Sequence, residues 1–190
     1  MNIDQCRQEL KARVPGIRIL VPADSLLYGT GGEIWEMILA YESDGWNFEC
    51  NGDDVNALAS YAYAIGWLDA GCCIGLLSTS ESDGRWFVSG SQSPDHEDER
   101  LQEKNTRYQK LLRMACDVAE PSPDKGSLLL AGSEKILMIG RTYLIFGEIA
   151  LKERRERVAL TCFSYGFGWL DAGIRAGFLT ARKHRDIFTI

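Results

Sequence analysis

Histidine is scarce in this chain. There are two in 190 residues, His96 in an acidic stretch and His184 in a basic one. Neither is set at the spacing of a zinc-protease motif, and no serine-elbow motif occurs. The six cysteines include no C-x-x-C pair, which argues against a zinc ribbon or a thioredoxin-like redox centre. No glycine-rich phosphate loop follows a strand, and the hydrophobic pattern predicts no strand at all. No stretch reaches 18 uninterrupted apolar residues, so no membrane span is expected. The N-terminus, MNIDQCRQEL, is polar and lacks the apolar core of a secretion signal. A cytoplasmic protein is therefore expected, with no metal and no cofactor.

What the chain does have is a repeat. Asn56–Leu77 reads NALASYAYAIGWLDAGCCIGLL, and Val158–Leu179 reads VALTCFSYGFGWLDAGIRAGFL. The two segments lie 102 positions apart, align without a gap and are identical at half of their positions. A match of this length means one structural unit used twice. The expected boundaries are residues 1–88 for the first unit, 89–93 for a linker and 94–190 for the second. A unit of about 85 residues buries only ~60–65% of its unfolded surface, so the two are expected to pack together.

Each unit reads as three helices. Ile3, Cys6, Leu10, Val14 and Ile17 recur at helical spacing in the first, until Pro15-Gly16 interrupts. In the second, Ser93-Pro94 offers a helix start, and Leu101, Asn105, Tyr108, Leu112 and Ala115 form the stripe. The second helix of unit one is expected to start at the Thr30/Glu33 capping-box pattern, and its counterpart near Ser127 or Ser133. Asp53 is a candidate cap for the third helix. The matching turn in unit two, KERRER (152–157), has no glycine and predicts a less clean break. Trp86-Phe87-Val88 and Phe188-Thr189-Ile190 predict a short apolar tail on each unit that folds back on the helices.

The third helix carries two apolar stripes, so it must be covered on more than one side. Gly66, Gly71 and Gly75 are matched by Gly168, Gly173 and Gly177, at about 1 kcal/mol each against alanine inside a helix. Their retention in both copies suggests close backbone contact. Either each bundle is tightly packed within itself, or the units meet along a pseudo-two-fold seam that imitates a dimer interface. The expected seam residues are Tyr63, Gly66, Trp67 and Gly71 with Tyr165, Gly168, Trp169 and Gly173. The fold expected is all-α: two tandem up-and-down three-helix bundles packed with pseudo-two-fold symmetry.

Asp69 and Asp171 are the candidate ligand or structural carboxylates. Each lies in the most apolar stretch of its helix, where a carboxylate needs a partner. Arg175 stands four residues after Asp171, the spacing of a helical ion pair; Cys73 occupies the matching place after Asp69. Tyr63, Trp67 or a group across the seam are candidate donors to Asp69. The pair reads as a structural anchor, as a cation site formed by pseudo-symmetry, or as an acid or base in a cleft. No cysteine is shared between copies, so the six read as buried, small apolar side chains in a reducing cytosol.

Charge is divided unevenly. Residues 1–80 carry a net −7, whereas residues 101–190 carry +5. Opposite electrostatics on one hydrophobic plan suggest different partners or a head-to-tail attraction. The candidate basic patch is Lys152, Arg154, Arg155 and Arg157 with Arg182, Lys183 and Arg185. Its two clusters flank the third helix, roughly 35–40 Å apart at 1.5 Å per residue, an awkward footprint for a short nucleic-acid site.

The G-W-L-D-A-G phrases at Gly66–Gly71 and Gly168–Gly173 resemble the signature of an uncharacterised, mostly archaeal family, domain of unknown function 357. The resemblance covers Val21–Leu77 and Pro121–Leu179. It implies a three-helix bundle per unit and an archaeal source, and it brings no activity, cofactor or catalytic residue. These readings favour a non-enzymatic interaction or scaffold protein with a protein partner. Nucleic-acid association through the second unit and a ligand site or enzyme at the repeated aspartates are the alternatives. The chain is expected as a monomer with an internal pseudo-dimer, or as a weak homodimer.

Overall fold

The third helix of each unit forms the centre of the molecule, and the other helices cover it. A computed structural model describes residues 2–79 and 98–189. The first unit holds α1 (Ile3–Arg13), α2 (Leu26–Cys50) and α3 (Asp54–Cys73); the second holds α4 (Glu99–Val118), α5 (Leu130–Lys152) and α6 (Glu156–Arg175). All-α tandem bundles are what is found. None of these helices is long and apolar enough to cross a membrane.

Caps set most of the boundaries. As expected, Asp53 accepts from the Asn56 amide at α3, and α1 starts behind a capping box of Asn2 and Gln5. Two starts differ from the sequence reading. The α2 helix begins at Leu26 behind the Ser25 hydroxyl, a full turn before Thr30/Glu33, because Gly29, Gly31 and Gly32 are absorbed into the helix. The α4 helix is capped by Asp98, and the Ser93-Pro94 signal lies outside the described residues. So do the 89–93 linker and the Trp86–Val88 tail.

Four short strands among the described residues correct the expectation of none. β1 (Arg18–Ile19) pairs antiparallel with β2 (Leu77–Ser78), and β3 (Ala119–Pro121) with β4 (Leu179–Ala181). Arg18↔Ser78 and Ile19↔Leu77 match Glu120↔Thr180 and Pro121↔Leu179, so the ribbon belongs to the repeated unit. Two or three residues are too few to show an alternating pattern in sequence. Each ribbon ties the connection after the first helix to the chain leaving the third.

Gly75 and Gly177 are not interior helix residues. Both take positive φ, +78° and +74°, just past the ends of α3 and α6. Leu76 N–H donates to the Gly71 carbonyl and Phe178 N–H to that of Gly173, closing the same left-handed stop in each unit.

The KERRER turn is as sharp as its counterpart. Arg154 adopts φ 56°, the left-handed conformation that Gly52 takes at φ 71° at the equivalent position. A side chain with a Cβ costs about 1–2 kcal/mol there. Arg154→Gly is therefore expected to raise stability by about 0.5 kcal/mol, after the larger unfolded-state entropy of glycine is deducted. A urea midpoint that moves up at unchanged slope checks it.

Within each unit the second helix runs antiparallel to the third. A Cβ on Gly45 would meet the Tyr61 ring, while one on Gly31 would meet Ile19 and the Leu76 carbonyl. The two third helices run parallel to each other. Near their starts, Asn105 of α4 donates to the Glu156 carbonyl (3.0 Å) and Arg100 bonds Asp53 (2.8 Å). Near their ends, Arg175 of α6 lies 3.7 Å from Glu33 of α2. The pseudo-two-fold axis thus runs along the helices, and equivalent features of the two units share one end of the molecule.

Candidate functional site

Gly66 and Gly168 mark where α3 and α6 touch backbone to backbone. A Cβ on Gly66 would stand 2.4 Å from the Tyr165 carbonyl oxygen and 3.2 Å from the Gly168 Cα. One on Gly168 would stand 2.6 Å from the Tyr63 carbonyl oxygen. Any side chain at either place would push the helices apart. Gly71 and Gly173, expected in the same seam, serve another purpose. The space beside Gly71 is filled by Leu77 and Ile34, and that beside Gly173 by Ile136 and Leu179, all of the same unit. The retained glycines therefore divide between the seam and the packing inside each bundle.

The carboxylates are held across the seam in a crossed arrangement. Tyr63 of unit one donates its hydroxyl to Asp171 of unit two. Tyr165 of unit two donates to Asp69 of unit one at 2.7 Å. Each tyrosine packs on the tryptophan one turn on, Tyr63 on Trp67 with ring centres 6.2 Å apart and Tyr165 on Trp169 at 6.3 Å. Each also packs on a tyrosine of its unit's second helix: Tyr41 at 4.4 Å from Tyr63 and Tyr143 at 4.3 Å from Tyr165. Tyr41 and Tyr143 are themselves 102 positions apart, a signal the sequence carried outside the 22-residue block.

The two carboxylates differ in their second partner. Asp69 faces the Arg13 guanidinium from α1, which also reaches Glu9 at 3.3 Å. Asp171 instead accepts from the Thr189 backbone N–H at 2.9 Å, and the Thr189 hydroxyl lies 3.2 Å from Tyr63 Oη. The unit-two tail thus folds back onto the seam, with Phe188 buried against Phe167. The expected helical pair between Asp171 and Arg175 is not made. Arg175 turns to the Thr189 carbonyl and to Glu33, because the tail occupies the space over Asp171.

Electrostatics follow from this asymmetry. Asp171 is fully buried, and burial raises its pKa above the usual carboxylate range. The bonds from Tyr63 and Thr189 and the positive charge of Arg175 offset part of that rise. Burial also raises the Tyr63 and Tyr165 hydroxyls well above their ordinary value, and the adjacent carboxylate charges add to it. All four carboxylate oxygens have a donor, and the close helix contact leaves both groups inside packed structure. Such a pair acts as two polar bolts through an apolar seam.

The basic residues do not come together. Lys152 and Arg154 are exposed, Arg155 turns onto Glu153 and Arg157 is half-buried at the start of α6. Arg182, Lys183 and Arg185 are exposed beyond its far end, with Arg182 at 3.8 Å from Glu120. The 20 residues of α6 separate the clusters by about 30 Å. Among the described residues, no three or more histidine, cysteine or acidic side chains group as metal ligands would. Cys6, Cys116 and Cys162 are buried, and burial pushes each thiol up to about 12. Cys50 and Cys73 are exposed, which corrects the expectation of six core cysteines.

One feature of both units escaped the sequence reading. Ser25-Leu26-Leu27 recurs as Ser127-Leu128-Leu129, 102 positions on. Each serine hydroxyl accepts from the second leucine's amide at 3.2 Å. Leu26 is 99% exposed and Leu128 97%, at the shared end of the molecule.

No curated protein and no solved structure shows a significant match to the chain. The family described as Protein of unknown function (DUF357) matches it twice, over residues 8–77 and 107–179. Those two segments contain both glycine contacts, both crossed tyrosine–carboxylate pairs and both exposed leucine pairs, and on them the chain belongs to the DUF357 family.

Proposed function

We propose that the protein is a non-enzymatic interaction module of the archaeal cytoplasm, and that Leu26, Leu27, Leu128 and Leu129 form its contact end. One observation carries the reading: the same Ser-Leu-Leu tripeptide projects nearly bare leucines from equivalent places in both units. Scattered exposed leucines need no explanation, but a matched pair held by the same serine bond has no role in the bundle's own packing. The side chains best suited to chemistry, Asp69 and Asp171, are used up in the seam. A partner with two apolar pockets would desolvate Leu26 and Leu128, each worth about 1.5–3 kcal/mol when fully buried, and the remaining exposed half of Leu27 and Leu129.

The paired variant Leu26→Asp/Leu128→Asp tests this. Its melting temperature is expected to stay that of the wild type, because these side chains touch water already. Proteins crosslinked by the wild type in cell lysate are expected to be lost with the variant. Capture of the same proteins by both would remove the leucine end from the reading.

A further inference from the structure

The outer faces of α2 and α5 are equivalent surfaces of the repeated unit, yet they carry opposite chemistry. At four matched positions Glu33 is replaced by Lys135, Glu36 by Met138, Leu39 by Arg141 and Asp44 by Phe146. On α5 the result is an apolar stripe. Met138 is 55% exposed, Ile145 54% and Ile149 43%, at helical spacing along one line, with Phe146 at its margin. Lys135, Arg141 and Lys152 are exposed along its borders, with the exposed Glu134 one turn before Met138. On α2 the same line reads Glu36, Ala40, Ser43 and Asn47, all exposed, with Glu33, Leu39, Asp44 and Trp46 beside it. One face offers large apolar side chains between cations. The other offers a line of small and polar side chains bordered by anions and by the exposed Leu39 and Trp46.

From this complementarity we infer that the α5 face of one molecule docks on the α2 face of a second copy of the same chain. Ala40 and Ser43 leave room for Met138, Ile145 and Ile149, as ridges of one helix fill the groove of another. Lys135 and Arg141 then face Glu36 and Asp44. Among the described residues nothing covers either face, and a second copy brings the complementary face to each. The contrast in net charge between the halves, −7 for residues 1–80 and +5 for residues 101–190, steers the encounter in the same sense. The contact joins unlike faces, so it propagates head to tail or closes into a ring. A single helix-on-helix contact is a small interface, and a dissociation constant of about 10 μM to 1 mM is expected. This inference is independent of the leucine contact end.

Sedimentation of the purified chain over a concentration series tests it. The weight-average mass is expected to climb from 21.2 kDa toward dimers and larger species, and to fall back as salt is raised. Two charge-reversed variants extend the test: Lys135→Glu/Arg141→Glu and Glu36→Lys/Asp44→Lys. Each alone is expected to remain monomeric, because it presents like-charged faces. Their equimolar mixture is expected to associate again, at least tenfold more tightly than either alone. A wild type that stays monomeric to about 1 mM overturns the inference. So does association that both variants retain unmixed. The Leu26→Asp/Leu128→Asp protein is expected to self-associate as the wild type does, which separates this result from the fate of the proposed contact end.

Discussion

Gly66→Ala is expected to destabilise the protein by about 3 kcal/mol or more, and Gly168→Ala by a similar amount. Intrinsic helix propensity points the other way, because alanine favours a helix interior by about 1 kcal/mol over glycine. The sign is decided by what the new methyl meets. At Gly66 it is a carbonyl oxygen at 2.4 Å and at Gly168 one at 2.6 Å, both part of rigid helix backbone. Relief requires the two central helices to separate, which opens the seam along its length and weakens the crossed hydrogen bonds. Gly71→Ala provides the control. Its methyl would meet the Leu77 side chain at 2.9 Å and that of Ile34 at 3.1 Å, and these can adjust. A loss of about 1 kcal/mol is expected there. Urea unfolding of the three variants gives the comparison directly.

Asp69→Asn and Asp171→Asn are expected to behave differently, although the sequence presents these residues as equivalents. Asp69 is the counter-ion of Arg13, whose side chain is 9% exposed. Removing the charge leaves a buried guanidinium with Glu9 as its remaining anion, and a loss of about 3 kcal/mol is expected. Adding Arg13→Met to Asp69→Asn should recover part of it, because an apolar side chain needs no counter-ion. Among the described residues no cation touches Asp171, and asparagine keeps an acceptor for Thr189 or Tyr63. A change of about 1 kcal/mol or less is expected at pH 7.

The pH dependence of the Asp171 effect has a definite sign. The folded-state pKa of Asp171 is raised, so the native protein binds this proton more tightly than the unfolded chain does. The benefit is complete below the ordinary carboxylate value. It is lost as pH rises through the raised folded value. Relative to Asp171→Asn, the wild type should therefore be most stable in acid and lose ground on the way to neutrality. A difference between the two that grows in favour of the wild type as pH rises would contradict the burial of this carboxylate.

The sequence made the repeat and its helices legible because each of these recurs, whereas of the seam glycines it named only Gly66 and Gly168 meet across the units. GWLDAG marks the glycine crossing; of the donors the sequence offered Asp69 (Tyr63, Trp67 or a group across the seam), it is a group across the seam, Tyr165, that bonds it, while Tyr63 bonds Asp171. Several features were not legible, for physical reasons. The strands are two or three residues long and fall below any periodic signal. Arg154 in a left-handed turn breaks the rule that assigns such turns to glycine, so KERRER looked like a poor stop. Arg13 and Thr189, the unlike partners of the two carboxylates, have no like residue in the other unit, where Ala115 and Phe87 stand at the matched positions. Arg175 has the correct helical spacing for Asp171, and only the tail folding over the seam turns it away. Leu26 and Leu128 were missed for a different reason. A leucine reads as core unless the structure shows it bare.

The central claim is that each unit supplies the hydroxyl that holds the other unit's carboxylate. A double-mutant cycle measures this directly, with Tyr63→Phe combined once with Asp171→Asn and once with Asp69→Asn. The crossed pair, Tyr63 with Asp171, is expected to show a coupling of about 1 kcal/mol or more, and the same-unit pair to be additive within about 0.5 kcal/mol. Coupling confined to Tyr63 and Asp69, with Tyr63 and Asp171 additive, would contradict the seam described here.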